Sequence, residues 1–402
     1  MSIITGLSGN EIFCLNQKGY KPGNIVVGNS VHSLGLFGTI GSSFQSVLGG
    51  EIEQVTRLIE EGRETALKKM VAEATAHGAS GITGVTSEII FHAGNLEFLS
   101  IGSVVHAEQS NPLFSSSADG QELFAQMDAG YHPVCFAFGN VAYSVGVTRG
   151  IIGGLKTFRR GEIKEYSDMF NHTRHLALER IIAHARENNA NAVLGIKTTI
   201  LPFTAMCEMI MMGTASTHAE IASAFPGQVV TSDLTNLEMW NLANMGYVPM
   251  KLLLGTSVYS LGFVGGVTSK LKSLVRGEIS ELTQLIYEAR ENAIGIIKKE
   301  ADAMGADDVV GVKTYVYQLG NGLIEFLAIG TAVKKSDAAK TKSNQLPPQA
   351  IIVDQDTFYD STQGGIQINL NKGTQTSFLG TILSWIVIFI GVFIYFFYKF
   401  HS

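Results

Sequence analysis

From Glu51 to about His77 the apolar residues Ile52, Val55, Leu58, Ile59, Ala66, Met70 and Ala74 recur at threes and fours, while Glu53, Arg57, Glu60, Glu64 and Lys68 take the other side. That period predicts an amphipathic helix about 40 Å long. The pattern returns with Ile163, Tyr166, Phe170, Ala177 and Ile181, and again with Ile279, Leu282, Ile286, Ala293 and Ile297. Gly78, Asn189 and Gly305 then sit where a helix end needs a residue tolerant of positive φ. Before each helix a partly alternating stretch rich in Val, Leu and Tyr predicts a strand: Asn24 to Gly35, Phe136 to Gly146 and Leu252 to Gly262. After the first helix, Gly81 to Phe91 and Leu96 to His106 predict two more strands, joined by His92 to Asn95. A short helix precedes each unit and is stopped by Gly19, Gly130 or Gly246, three residues before Pro22, Pro133 or Pro249.

The chain thus writes one stretch three times, and that decides its architecture. In register stand Arg63, Arg174 and Arg290, then Ala79, Ala190 and Ala306, then Gly84, Gly195 and Gly311. Glu97, Glu208 and Glu325 align once the third copy is allowed one extra residue. The expected fold class is α+β: three tandem β-α-β-β units, each one long helix on a small antiparallel sheet, at 8–107, 119–219 and 235–335. So thin a sheet leaves edges and a face to be covered, by packing between repeats or by oligomerisation.

Beyond the third unit the pattern weakens. Residues 336–377 are polar and read as a flexible linker with one short strand at Ala350 to Val353. Residues 378–398, from Phe378 through Trp385 to Tyr398, carry no charge and are long enough to cross roughly 30 Å of hydrocarbon. They predict a C-terminal transmembrane helix bordered by aromatic residues and Lys399, with Gly380, Ser384 and Gly391 on one face. The N-terminus lacks a basic start and a signal-length apolar core. The expectation is a single-pass membrane protein with the bulk of the chain in the cytoplasm.

Composition adds limits. Apolar residues make up 46% and charged ones 16%, which calls for extensive buried surface between repeats or chains. A net charge of -6 does not favour nucleic acid. Cys14, Cys135 and Cys207 are odd in number and fall at non-equivalent positions, which fits a reducing compartment better than a disulfide framework.

Candidate chemistry is sparse. Glu51, Glu162 and Glu278 at the helix starts need nothing beyond attraction to the helix dipole. Glu97, Glu208 and Glu325 on the last strands suit structural or interface ion pairs with Arg63, Arg174 and Arg290, within or between units. His172 and His175, one helical turn apart, are candidate metal ligands, yet no histidine recurs in all three copies. The glycines at 35, 38 and 41 lack the Gly-Lys-Ser/Thr of a phosphate loop and read as close packing. Asn171-His172-Thr173 matches a glycosylation acceptor by chance, inside a helix. No catalytic set and no cofactor can be read.

The run Gly28-Asn29-Ser30-Val31-His32-Ser33-Leu34-Gly35, with Arg63-Glu64, Ala66, Gly78-Ala79 and Gly84-Val85, resembles the YbjQ-like domain family, also named for heavy-metal binding. The third copy is nearest, with Ala289-Arg290-Glu291 and Gly305-Ala306-Asp307-Asp308-Val309-Val310-Gly311-Val312. The resemblance covers most of 19–107, 130–219 and 246–335. It implies a dodecin-like unit that associates into pentameric rings. Five chains could then stack three rings above a membrane; the competing geometry packs the repeats pseudo-symmetrically within one chain. The expected function is a non-enzymatic homo-oligomer, a tail-anchored scaffold or binding platform at the cytosolic face of a membrane. The alternative is a metal- or small-ligand-binding module with its site between subunits.

Overall fold

Ser8 accepts a hydrogen bond from Glu11 N while the Glu11 carboxylate accepts one from Ser8 N, a capping box that starts the first helix, α1 (Gly9–Gln17). Gly19, at φ +81°, ends it and turns the chain into β1 (Tyr20–Ser33). A two-residue strand, β2 (Gly50–Glu51), precedes the long helix α2 (Glu53–Ala76), which Gly78 closes at φ +65°. The hairpin β3 (Gly81–His92) and β4 (Asn95–Ala107) follows, then the short β5 (Phe114–Ser115).

The second copy runs α3 (Gly120–Asp128), β6 (His132–Ser144), β7 (Gly161–Glu162), α4 (Lys164–Glu187), β8 (Ala192–Pro202) and β9 (Cys207–Thr217). It adds α5 (Ala219–Ala224) and β10 (Val230–Thr231). The third runs α6 (Asn236–Asn244), β11 (Tyr247–Ser260), α7 (Ser280–Met304), β12 (Asp308–Gly320) and β13 (Leu323–Lys335), and a turn of helix, α8 (Pro348–Ile351), ends the described chain. This computed structural model describes residues 2–33, 50–92, 95–108, 112–144, 161–203, 206–261, 280–320 and 323–352, all within one unit, Met1–Asp354.

Three sheets result, ordered β1-β4-β3-β5, β10-β8-β9-β6-β2 and β12-β13-β11-β7; the first two are mixed, each with one parallel pair, and the third is antiparallel throughout. In each, the first strand of the repeat pairs antiparallel with the last. The short strands cross the repeat boundaries. β2 of the first repeat pairs with β6 of the second, and β7 of the second pairs with β11 of the third. Each donor extends the next repeat's sheet and covers part of an edge that would otherwise template aggregation.

One glycine per repeat sets the distance between helix and sheet. A Cβ on Gly28 would lie 2.0 Å from Ala66 O, on Gly139 2.3 Å from Ala177 O, and on Gly255 2.0 Å from Ala293 O. The helix backbone therefore rests directly on the first strand, which only glycine permits. A second glycine, Gly84, Gly195 or Gly311, takes positive φ where β3, β8 or β12 shifts register against its partner strand. That bulge re-aims the residue after it.

The structure departs from expectation in three places. The stretch after the third unit is packed: Ala338 and Ala350 are buried, and Pro348–Ile351 forms helix where a short strand was expected. The three repeats lie side by side and pair with one another within the chain, the competing geometry to stacked rings. The expected single-pass membrane localisation is withdrawn, because no helix among the described residues is long and apolar enough to cross a membrane. The proposed anchor with Phe378, Trp385 and Tyr398 lies outside those residues.

Candidate functional site

The chemistry of the chain concentrates at the junctions between repeats. The long helices α2 and α4 each have one face on their own sheet and a second face on the sheet of the following repeat. At the first junction Arg63 of α2, fully buried, donates from Nη2 to Glu208 Oε2 of β9 at 2.9 Å and from Nε to Oε1 at 3.3 Å. Its Nη1 donates to the carbonyl oxygen and the hydroxyl of Ser87, at 3.0 and 3.1 Å. At the second, Arg174 of α4 donates from Nη2 to both oxygens of Glu325 on β13, each at 2.9 Å. Its guanidinium lies 4.7 Å from the Tyr143 ring centroid and 5.3 Å from that of Phe170. Burial alone would lower the Arg174 pKa, but Glu325 and Tyr143 more than offset it and hold the group above its ordinary value.

A hydroxyl and a backbone bond frame each pair. Ala142 N donates to Thr56 Oγ1 at 2.9 Å, and Val258 N donates to Ser167 Oγ at the same distance. Ile52 N reaches Ala142 O at 2.7 Å, and Ile163 N reaches Val258 O at 2.8 Å. A buried ion pair is costly to desolvate, so it persists where geometry and extra hydrogen bonds satisfy both ions.

Among the expected residues the structure brings together Arg63 with Glu208, and Arg174 with Glu325. It leaves Arg290 and Glu97 apart, at opposite ends of the row. Arg290 is exposed on α7, and Glu97 on β4 accepts from Asn29 Nδ2 at 3.0 Å and bonds His92 Nε2 at 2.6 Å. Of the helix-start carboxylates, Glu51 meets Arg180 Nη2 at 2.7 Å across the first junction, and Glu162 lies on β7; Glu278 is outside the described residues.

The metal candidates do not converge. His172 is exposed, whereas His175 turns Nε2 toward Glu300 at 3.7 Å and bonds Asn171 O through Nδ1 at 2.8 Å. Lys251 holds the same Glu300 at 2.7 Å, so that carboxylate already has two cations. Burial would raise Glu300, but the bonds to His175 and Lys251 pull it down to about 2. Among the described residues no group of three or more His, Cys, Asp or Glu could hold a metal ion, so those residues do not fit one. Burial also pushes the thiols of Cys14 and Cys135 up to about 11 and raises Cys207, away from the thiolate that metal binding or attack requires.

A polar hub that sequence reasoning missed ties down the C-terminal stretch. Asp128, at the end of α3, accepts from Lys18 Nζ at 2.7 Å, Trp240 Nε1 at 2.8 Å, and Ser343 N and Oγ at 3.1 and 2.5 Å. Lys18 and Ser343 have no counterparts in the other copies, so the repeat pattern carried no signal for it.

The chain matches the family described as "Putative heavy-metal-binding", YbjQ, over residues 16–105, 131–219 and 245–336. It is 30% identical to the Encapsulin nanocompartment protein Rv1762c of Mycobacterium tuberculosis over 211 residues, 50% of this chain and 78% of the relative. It is 42% identical to a UPF0145 protein of Methanoregula boonei over 79 residues, 20% of this chain and 66% of that one. With a UPF0145 protein of Clostridium perfringens it shares 36% identity over 87 residues, 22% of this chain and 82% of that one.

Proposed function

The chain belongs to the YbjQ domain family, and from that premise we propose that it is a non-enzymatic, self-assembling scaffold or binding platform. Its building contact is the junction between repeats. The observation that carries this reading is the twice-made burial of an arginine against the following repeat's glutamate, Arg63 on Glu208 and Arg174 on Glu325. A contact that joins unlike faces is heterologous, and repeating it extends a row until the row closes. Such a surface invests the chain's buried charges in association. The name of the mycobacterial relative, an encapsulin nanocompartment protein, supports assembly as the theme. The metal reading in the family description draws no support from His172, His175 or the buried thiols.

Light scattering and native mass spectrometry of the full chain test the proposal across a concentration series. A fixed multiple of the chain mass supports it, with five chains for a pentamer. A monomer at every concentration overturns it.

A further inference from the structure

The two faces joined at each internal junction both reappear, uncovered, at the ends of the row. On the sheet side, Val27, Phe138 and Leu254 are equivalent, each paired in register with Ile101, Met212 or Ile329. Phe138 and Leu254 are 4% and 0% exposed because the preceding repeat covers them; Val27 is 44% exposed. Val31 stands at 59%, where Ala142 and Val258 stand at 0%. On the helix side, the residue after the bulge glycine is 3% exposed at Val85 and 2% at Ile196, but 44% at Val312.

Between these positions a socket is visible. In the first repeat Leu67, Met70, Ala74, Ala79 and Val85 receive Phe136, Phe138 and Met212 of the second. In the second repeat Leu178, Ile181, Ala185, Ala190 and Ile196 receive Leu252, Leu254 and Ile329 of the third. The equivalent five residues of the third repeat, Ile294, Ile297, Ala301, Ala306 and Val312, line an open cavity of about 350 Å³. Arg290, at the position of the two buried arginines, carries no ion pair among the described residues.

Resting on the assembly reading, we propose that the occupant is a second copy of this chain, docked head to tail. Ile25 and Val27 of its first repeat enter the third repeat's socket, and its Glu97 meets Arg290. The argument is continuity: one contact made twice inside the chain is presented a third time by the equivalent socket, plug and charged residues. Charge complementarity agrees with shape, since the arginine waits at the socket end and the glutamate at the plug end. Docking moves Glu97 from its hydrogen bonds with Asn29 and His92 into the buried bidentate pairing that Glu208 and Glu325 already show.

Two charge reversals in the full chain test this. Arg290→Glu places two carboxylates at the contact, and Glu97→Arg places two guanidinium groups there. Each alone should weaken self-association, read by sedimentation velocity, by about 30-fold or more. An equimolar mixture should recover association to within about tenfold of the parent, because every contact between unlike chains then pairs an arginine with a glutamate. Recovery on mixing is a result that misfolded variants cannot give. Either variant associating as the parent does, or a mixture that stays dissociated, overturns the proposed contact. An assembly that survives both reversals leaves the scaffold reading standing, whereas a parent chain that never associates removes both.

Discussion

Replacing Glu208 by glutamine keeps the volume of the side chain and removes its charge, so it isolates the electrostatics of the first junction from packing. Arg63 and Glu208 are both fully buried, and the guanidinium would keep its two bonds to Ser87 while losing its counter-ion. An uncompensated buried charge costs about 3–5 kcal/mol. With a urea slope of about 3 kcal/mol/M, the midpoint should fall by about 1 to 1.7 M, followed by far-UV circular dichroism. Glu97→Gln, compared at a dilution where the chain is monomeric, is the matched control. The same residue type at the same register position, bonded at the surface, should shift the midpoint far less. Arg63→Met with Glu208→Leu should return most of the loss, because an apolar pair of similar volume avoids desolvation altogether. If Glu208→Gln shifts the midpoint no further than Glu97→Gln, the junction is not held by a buried pair and the reasoning fails.

Three further outcomes are expected. Gly139→Ala places a Cβ 2.3 Å from Ala177 O and 2.5 Å from Ile181 N, both backbone atoms, and should cost about 2 kcal/mol of unfolding free energy, whereas Gly9→Ala, with open space around it, should cost less than about 0.5. Asp128→Asn removes the charge that holds Lys18 and weakens the bonds to Ser343, so tryptic cleavage after Lys340 and Lys342 should quicken about tenfold or more, measured by mass spectrometry of the fragments. Burial, reinforced by the nearby Asp119 charge, pushes Glu122 up from 4.5 to about 7. Between those values the folded chain holds a proton the unfolded chain has released, so stability falls as pH rises through that window. Glu122→Gln should therefore exceed the parent by about 2 kcal/mol at pH 8 and match it near pH 4; an equal gain at both would refute the assignment.

Much of the fold could be read from local pattern because it is set by local rules. The residues that end helices, Gly19, Gly78, Gly130, Gly246 and Gly305 together with Asn189, all take the positive φ that their place after a helix requires. The three long helices follow from spacing at threes and fours. The helix at Pro348–Ile351 and the packing of Ala338 could not be read, since that stretch is held from afar, Ser343 by Asp128 215 residues away and Ile352 O by Gln121 231 residues away. Polar composition gave no hint of one buried acceptor elsewhere.

By itself the sequence determined that this chain is one unit written three times, with an arginine on each helix and a glutamate on each last strand. Only the tertiary structure decided which arginine meets which glutamate: the partners lie 145 and 151 residues apart, always in the following repeat. It also decided that identical residues have different fates. Arg63 and Arg174 are buried and paired because the next repeat packs on them, and Arg290 is exposed because none of the described residues does so. Repetition fixes what each unit offers, but a row has ends, and position in the row is a property of packing that no single repeat encodes.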